Sequence, residues 1–440
     1  MAPVNPRSIS LTIALACAFA AVQPSAQSGA APVTVIKAAR LIDGTGAAPI
    51  ESAAAIVTGD TITWVGKAAD LKAPAGARVI DLGRQTLLPG LFDCHVHITG
   101  VPGDGGDTQE LRETDANKAI YGVVHSKLTL EAGFTTVRDV GGSYATVALR
   151  DSIAKGLIPG PHMYVATYSI GITGGHGDIN GWSPNLKLPG TAMIADGIEG
   201  VRKAVREQVK YGADLIKVVA SGGILSVGDS PSSVQYSFEE LKTIVDEAGH
   251  SGRKVAAHAH GAQSIKDAIH AGIDSIEHAS LVDDEGIRLA KEHGTYFVMD
   301  IYNDDYILGK AKDFGIPQEF LDKEKKLGQL QRDNFRKAFE AGVKMAFGTD
   351  AGVYPHGDNA KQFFYMVKYG MTPAQAILAA TASAADLTGR SADIGSIEAG
   401  KYADIIAVTA DPMKDVRALE SVDFVMKGGK IYKQGGKATQ

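Results

Sequence analysis

Two histidines separated by one apolar residue, His95-Val96-His97, lie in an apolar run that reads as a strand. Side chains alternate along a strand, so both imidazoles leave the same face and can reach one metal ion. Other apolar runs further along also close on polar groups of metal-ligand type: Lys217 in 215–219, His258 and His260 in 254–260, His278 in 273–279, and Asp350 at the end of 344–350. A lone histidine on an apolar strand is ordinarily a hydrogen-bonded core residue. Five runs in series, each carrying an imidazole, an amine or a carboxylate near its end, point instead to one shared metal centre. Lys217 is the odd member, because a free ammonium inside Leu215-Ile216-Lys217-Val218-Val219 is expensive to bury. It is either paired with a buried carboxylate, or snorkels to the surface, or has a lowered pKa that lets it take up carbon dioxide as an anionic, bridging carbamate.

These groups need a scaffold that brings distant runs together. Between about 91 and 390 the chain alternates strand-like runs with amphipathic segments, the pattern of parallel strands joined by crossover helices. The runs 91–98, 135–140, 162–167, 215–219, 254–260, 273–279, 295–300 and 344–350 number eight, which closes an α/β barrel of the (β/α)8 TIM type. In such barrels the reactive groups sit at the C-terminal strand ends, where the candidate ligands fall. Ile194, Ile198, Val201, Val205 and Val209 form a helical stripe, while Ser237 with Glu240 and Thr372 with Gln375 predict capping boxes. Short strands over 33–41, 54–58, 61–65 and 79–82 recur as a matching set over 403–408, 422–426 and 430–433. They predict a small composite β-sandwich domain from both ends of the chain: 29–90 as its first part, the barrel over 91–390, and 391–440 as its return.

Residues 1–28 read as a signal peptide: Arg7, an apolar run from Ile9 to about Val22, then small residues around Ala26-Gln27-Ser28. A lipoprotein site at Cys17 is disfavoured by Ala14 three residues earlier. The expectation is a periplasmic or secreted protein with no membrane attachment after cleavage and, with Cys94 as its remaining cysteine, no internal disulfide. A net charge of -6 in 440 residues leaves no basic stripe, so nucleic acid is excluded as a partner.

Asp93-Cys94-His95-Val96-His97, Gly212-Ala213-Asp214-Leu215-Ile216-Lys217, Val255 to Gly261, Ile276-Glu277-His278, Phe347-Gly348-Thr349-Asp350 and the closing Gly395 to Asp404 together resemble the motif series of the metal-dependent amidohydrolase superfamily. Within it the chain is similar to the imidazolonepropionase-like branch of Xaa-Pro and Xaa-Arg dipeptidases (carboxypeptidase-like) and ochratoxin-hydrolysing enzymes. The resemblance implies two Zn²⁺, one held by His95, His97 and Asp350 and the other by His258 and His278. It also implies an N6-carboxylysine at Lys217 and a hydroxide bridging the ions, with Asp350 moving the proton to the leaving amine. Both His258 and His260 share the strand face, and the family pattern favours His258.

The substrate expected is a small-molecule amide or dipeptide cut before its C-terminal amino acid, the phenylalanine amide of ochratoxin A included, and a homo-oligomer is implied. A mononuclear deaminase or cyclic-amide hydrolase of the same superfamily is the alternative, the deaminase being disfavoured by the strand-four lysine and by Ala259-His260-Gly261 where a glutamate is usual. A non-catalytic scaffold is disfavoured by the full ligand set. Substrate contacts are expected from His176 in Gly174-Gly175-His176-Gly177, from Tyr236, and from His356 in the loop after strand eight. Arg138 is read as a salt-bridge partner or a carboxylate binder, His125 and His270 as structural, and 301–330 as a lid or an oligomer contact.

Overall fold

The computed structural model describes residues 31–103 and 111–439. The expected leader, with Cys17, lies outside the described residues. The terminal segments pair with one another. β1 (Val33–Leu41), β2 (Ile50–Thr58) and β3 (Thr61–Lys67) form antiparallel ladders, with Gly59 in the left-handed region at the β2–β3 turn. β4 (Arg78–Asp81) runs parallel to β1. β5 (Thr86–Pro89) lies between β1 and β15 (Ile405–Val408). β16 (Val422–Lys427), β17 (Lys430–Gln434) and β18 (Lys437–Ala438) continue the sheet to nine strands.

The sequence does not signal β5, which is four residues long and ends in proline. It is nevertheless the joint between the two halves, and all four residues are buried. Ile36, Leu41, Ile62, Leu87, Ile405, Phe424 and Met426 form a core belonging to this sheet. The terminal set is thus a separate mixed sheet with its own apolar face, drawn from both ends of the chain and consistent with the β-sandwich that the sequence pattern predicts.

The barrel strands run parallel: β6 (Leu91–Val96), β7 (Phe134–Asp139) and β8 (His162–Val165) form one ladder. Two short strands, β9 (Ile170–Gly171) and β10 (Met193–Ile194), join the other. That ladder continues through β11 (Leu215–Val219), β12 (Lys254–Ala259), β13 (Ser275–His278) and β14 (Tyr296–Val298). The Asp214 amide donates to Val165 O at 2.8 Å, linking the two ladders.

On the far side the eighth run closes the ring, though only through bridges from Met345 to Phe297 and from Ala351 to Val96. Phe297 N donates to Lys344 O at 2.9 Å, Cys94 N to Phe347 O at 2.8 Å and Asp350 N to His95 O at 2.8 Å. Gly348 explains this close passage: a Cβ there would stand 2.2 Å from Val298 Cγ1 and 2.9 Å from His95 Cβ. Both predicted capping boxes form, at Ser237/Glu240 and Thr372/Gln375. The helix expected from the stripe spans Gly197–Lys210; it buries Val201 and Val205, while Ile194 falls in β10 and Ile198 is exposed. Residues 301–330 fall largely within two helices, Asn303–Phe314 and the first half of Gln318–Ala341, whose inner faces roof the strand ends.

Candidate active site

A cavity of about 580 Å³ opens over the C-terminal strand ends, and its floor brings together His95, His97, Lys217, His258, His260, His278 and Asp350. All but His97 are at least nine-tenths buried. His95 Nε2 lies 3.3 Å and His97 Nε2 3.1 Å from the same atom, Asp350 Oδ1. That oxygen has no hydrogen bond. Two nitrogens and an oxygen converging without hydrogen-bond geometry are the donor set a cation would satisfy, and imidazole with carboxylate suits zinc. His258, His260 and His278 form a second group and His95, His278 and Asp350 a further one, in each of which the ligand atoms lie within 4.8 Å of one another. His278 belongs to both, so the two groups are adjacent. The strand-five pair contributes both of its rings, 4.7 Å apart between centroids.

Backbone strain marks the same place. Among the described residues five non-glycine residues have positive φ, and three of them are His278, Ala279 and Asp350, at +68°, +49° and +59°. Such conformations cost roughly 1–3 kcal/mol each and persist where the surroundings impose them. For His278 the consequence is specific. Neighbouring residues on a regular strand face opposite ways, yet here Glu277 and His278 both reach the site. Glu277 Oε2 stands 2.9 Å from His95 Nδ1, and the His278 ring is 4.9 Å from the His95 ring.

Of the supporting layer, sequence reasoning reads only Arg138, as a salt-bridge partner, and misses the rest. Glu277 is clamped from behind by Arg138, whose Nη2 donates to Oε1 at 2.7 Å and whose Nε donates to Cys94 O at 2.6 Å. Arg138 is therefore in a buried ion pair and lines no part of the cavity. Asp300 Oδ1 sits 2.8 Å from His278 Nδ1 and accepts from Gln331 Nε2 at 3.0 Å. Asp93 accepts from Thr349 Oγ1 at 2.5 Å and from Asn359 Nδ2 at 2.7 Å, tying strand one to strand eight. Glu277 and Asp93 are adjacent to or one removed from candidate ligands, and Asp300 ends the seventh run; those positions were the available signal. Imidazoles that bind metal are usually oriented by such partners on the other ring nitrogen.

Electrostatics divide the floor. Burial alone would raise the Asp350 carboxyl, but His95 and His97 hold it well below the usual range. Burial and Lys217 pull His95 down, and the carboxylates of Asp350 and Glu277 overcome them to bring it up to about 9. By contrast burial, reinforced by neighbouring imidazoles, keeps His258 and His260 well below their ordinary value, hence neutral and able to donate a lone pair. Burial lowers Lys217 to about 8, with Glu277 and Asp350 opposing it.

The three expected substrate contacts fare differently. His176 does line the cavity, stacked 4.5 Å from His258. Its Nδ1 is 2.7 Å from Ser226 Oγ, which itself donates to Asp229 Oδ1 at 2.6 Å. The hydroxyl proton being committed to Asp229, the imidazole proton lies on Nδ1, and Nε2 is left as an acceptor. A neutral His176 therefore offers no oxyanion donor at Nε2. Tyr236 is wholly buried in the core and donates to Ala195 O at 2.7 Å, so it does not face the cavity as expected. His356 also turns away from it: it packs on His125 at 4.6 Å and its Nε2 lies 3.1 Å from His97 O, behind the strand-one pair. Cys94 packs behind the strand with Phe92 and Val298.

The model of the Amidohydrolase family matches residues 86–432, which takes in every strand of the barrel. The chain belongs to the amidohydrolase family. As a member it is a hydrolase of amide bonds, and its His and Asp clusters are the kind that hold metal in this family. It is 36% identical over 438 residues to the ochratoxinase of Aspergillus niger, covering 93% of this chain and 89% of the relative. Among solved structures it is similar to a Xaa-Pro dipeptidase with methionine bound in its active site, at 40% identity and a TM-score of 0.86 over 91% of this chain and 100% of the other. A prolidase complexed with N-methylphosphonate-L-proline superposes equally well, at 30% identity and 0.86, over 91% and 100%.

Proposed function

We propose that this amidohydrolase is a binuclear zinc enzyme that cleaves the amide bond to a C-terminal amino acid, with Xaa-Pro and Xaa-Phe dipeptides and ochratoxin A as first substrates to test. The observation that carries the reading is the convergence of His95 and His97 on the unbonded Asp350 Oδ1, beside a second group of His258, His260 and His278. His95, His97 and Asp350 would hold one ion and His258 and His278 the other, with Lys217 between them. Two such cations lower the pKa of bound water toward neutrality and polarise a carbonyl oxygen.

The protein's own groups supply the rest. Asp350, held ionised by its imidazole neighbours, can take the proton of the attacking water on its carboxylate and return it to the leaving nitrogen, while Asn303 Nδ2 donates to Oδ2 at 3.2 Å. Lys217, lowered toward neutrality by burial, can add its free amine to carbon dioxide, forming an N–C bond and releasing one proton. That converts the buried amine into an anion among cations. The cavity volume is of the size that encloses a dipeptide. The named activities of the dipeptidase and ochratoxinase relatives favour a carboxyl-terminal leaving amino acid.

Metal analysis with a substrate panel tests this. About two zinc equivalents per chain are expected, with hydrolysis confined to amides of a free C-terminal amino acid. Lys217→Ala should lose at least about 10²-fold in kcat and regain part of it with added propionate. Full activity without Lys217 would remove the carbamate from the reading.

A further inference from the structure

One wall of the cavity carries a group that metal chemistry leaves unexplained. Glu324, on the helix Gln318–Ala341, lines the cavity and is 1% exposed, yet no N–H or hydroxyl group donates to either of its oxygens, and its carboxyl meets only that of Asp304. Beside it Asp304, 4% exposed, also lines the cavity and has an unbonded Oδ2. Gly328 makes room for this approach, since a Cβ there would stand 2.6 Å from Asp304 Oδ2. Arg332 serves only the outer side: its Nε is 3.5 Å from Asp304 Oδ2 and donates to Ile301 O, while its Nη2 is bound to Asp305 at 2.8 Å.

Two carboxyls buried side by side need a proton or a cation between them. Burial and the adjacent Asp304 push the Glu324 carboxyl up to about 11, so without a ligand the pair keeps a proton. A metal ion does not suit it. Among the described residues both three-ligand groups lie on the floor, and neither includes Asp304 or Glu324. An alkylammonium or guanidinium, with its own array of N–H donors, matches two acceptor-only carboxylates. The wall is also tied to the floor: Asn303, next to Asp304, donates to Asp350 Oδ2, and Gln331, further along the Glu324 helix, donates to Asp300 and to His278 O.

We propose that Glu324 and Asp304 form a subsite for a cationic nitrogen on the acyl side of the substrate, either the free α-ammonium of a dipeptide or a basic side chain. The inference rests on the amide-hydrolase reading and narrows its substrates to amine-bearing ones. Binding separates the two. Ala-Phe, N-acetyl-Ala-Phe, N-acetyl-Lys-Phe and N-acetyl-norleucyl-Phe are titrated calorimetrically into zinc-loaded Asp350→Asn protein, which keeps a ligating oxygen but lacks the base, with and without Glu324→Gln, and their turnover is measured in the parent enzyme. An amine-bearing ligand should bind about tenfold or more tightly than its uncharged counterpart, and Glu324→Gln should abolish that preference.

A preference confined to Ala-Phe assigns the α-ammonium, and one confined to N-acetyl-Lys-Phe assigns the side chain. Equal binding of charged and uncharged ligands, or a preference that survives both Glu324→Gln and Asp304→Asn in folded protein, overturns the subsite. Absence of any hydrolysis would instead overturn the amidase reading, and the titrations would still decide the subsite.

Discussion

Asp350 and Glu324 are both buried carboxyls in one cavity, and they are in opposite states. Asp350 faces two imidazoles, which hold it well below the ordinary carboxylate range. Glu324 faces another carboxyl, and burial with that neighbour raises it to about 11. Residue type does not set the chemistry here; the company each group keeps does. On the floor His95, His97, His260 and His278 each have a partner at Nδ1, and the unbonded atoms converge on a few points, an arrangement for small inorganic cations. On the wall two carboxyls meet with only a shared proton between them and Arg332 Nε 3.5 Å from Asp304 Oδ2, an arrangement for an organic cation that brings its own hydrogens.

The largest expected effect comes from removing the floor's carboxylate. Asp350→Ala should lower kcat/KM by about 10³-fold or more and reduce the zinc retained after dialysis, read by elemental analysis. If both activity and metal survive, floor and wall are not different in kind. Next in size is the layer beneath. Arg138→Met leaves Glu277 buried and uncompensated, and chemical denaturation should show a loss of about 3–5 kcal/mol, with weaker zinc retention because a Glu277 carboxyl that takes up a proton no longer faces His95 as an anion.

The smallest effect has the more telling sign. In the unfolded chain Glu324 would ionise near 4.5, whereas in the fold it stays protonated up to about 11. The folded state holds the extra proton, so stability from this group is lost as pH rises above 4.5. Glutamine cannot ionise, so Glu324→Gln should be more stable than the parent by about 1 kcal/mol or more at pH 8, because a tenfold change in proton affinity is worth about 1.4 kcal/mol. The difference should shrink toward pH 5, followed by Tm across that range. A destabilised Glu324→Gln protein would mean the wall carboxylate has a structural cation partner.

Much of the architecture is legible without coordinates because its causes are local. Apolar runs of period two, helix stripes of period 3.6 and the Ser237/Glu240 and Thr372/Gln375 caps act over a few residues, and they foretell the alternating core of the barrel. β5 escapes because a four-residue strand draws its pairing from β1 and β15, more than 300 residues apart in the chain for the latter. The eighth run escapes as a regular strand for a similar reason: Gly348 yields to the side chains of Val298 and His95 rather than to any local preference.

The candidate site divides along the same line. By itself the sequence determines that His95, His97, Lys217, His258, His278 and Asp350 lie at strand ends in one barrel, since strand order and side-chain alternation are properties of short segments. It also places His260 on the face of His258. Only the tertiary structure decides which way Tyr236 and His356 turn, which nitrogen of His176 keeps its proton, that Glu277 backs His95, and that Asp300 and Glu324 belong to the cavity at all. Those outcomes depend on partners supplied by other strands and helices, such as Ala195 O for Tyr236 and Ser226 for His176. A buried polar group's role is set by whatever satisfies it, and that partner is not chosen until the chain has closed on itself.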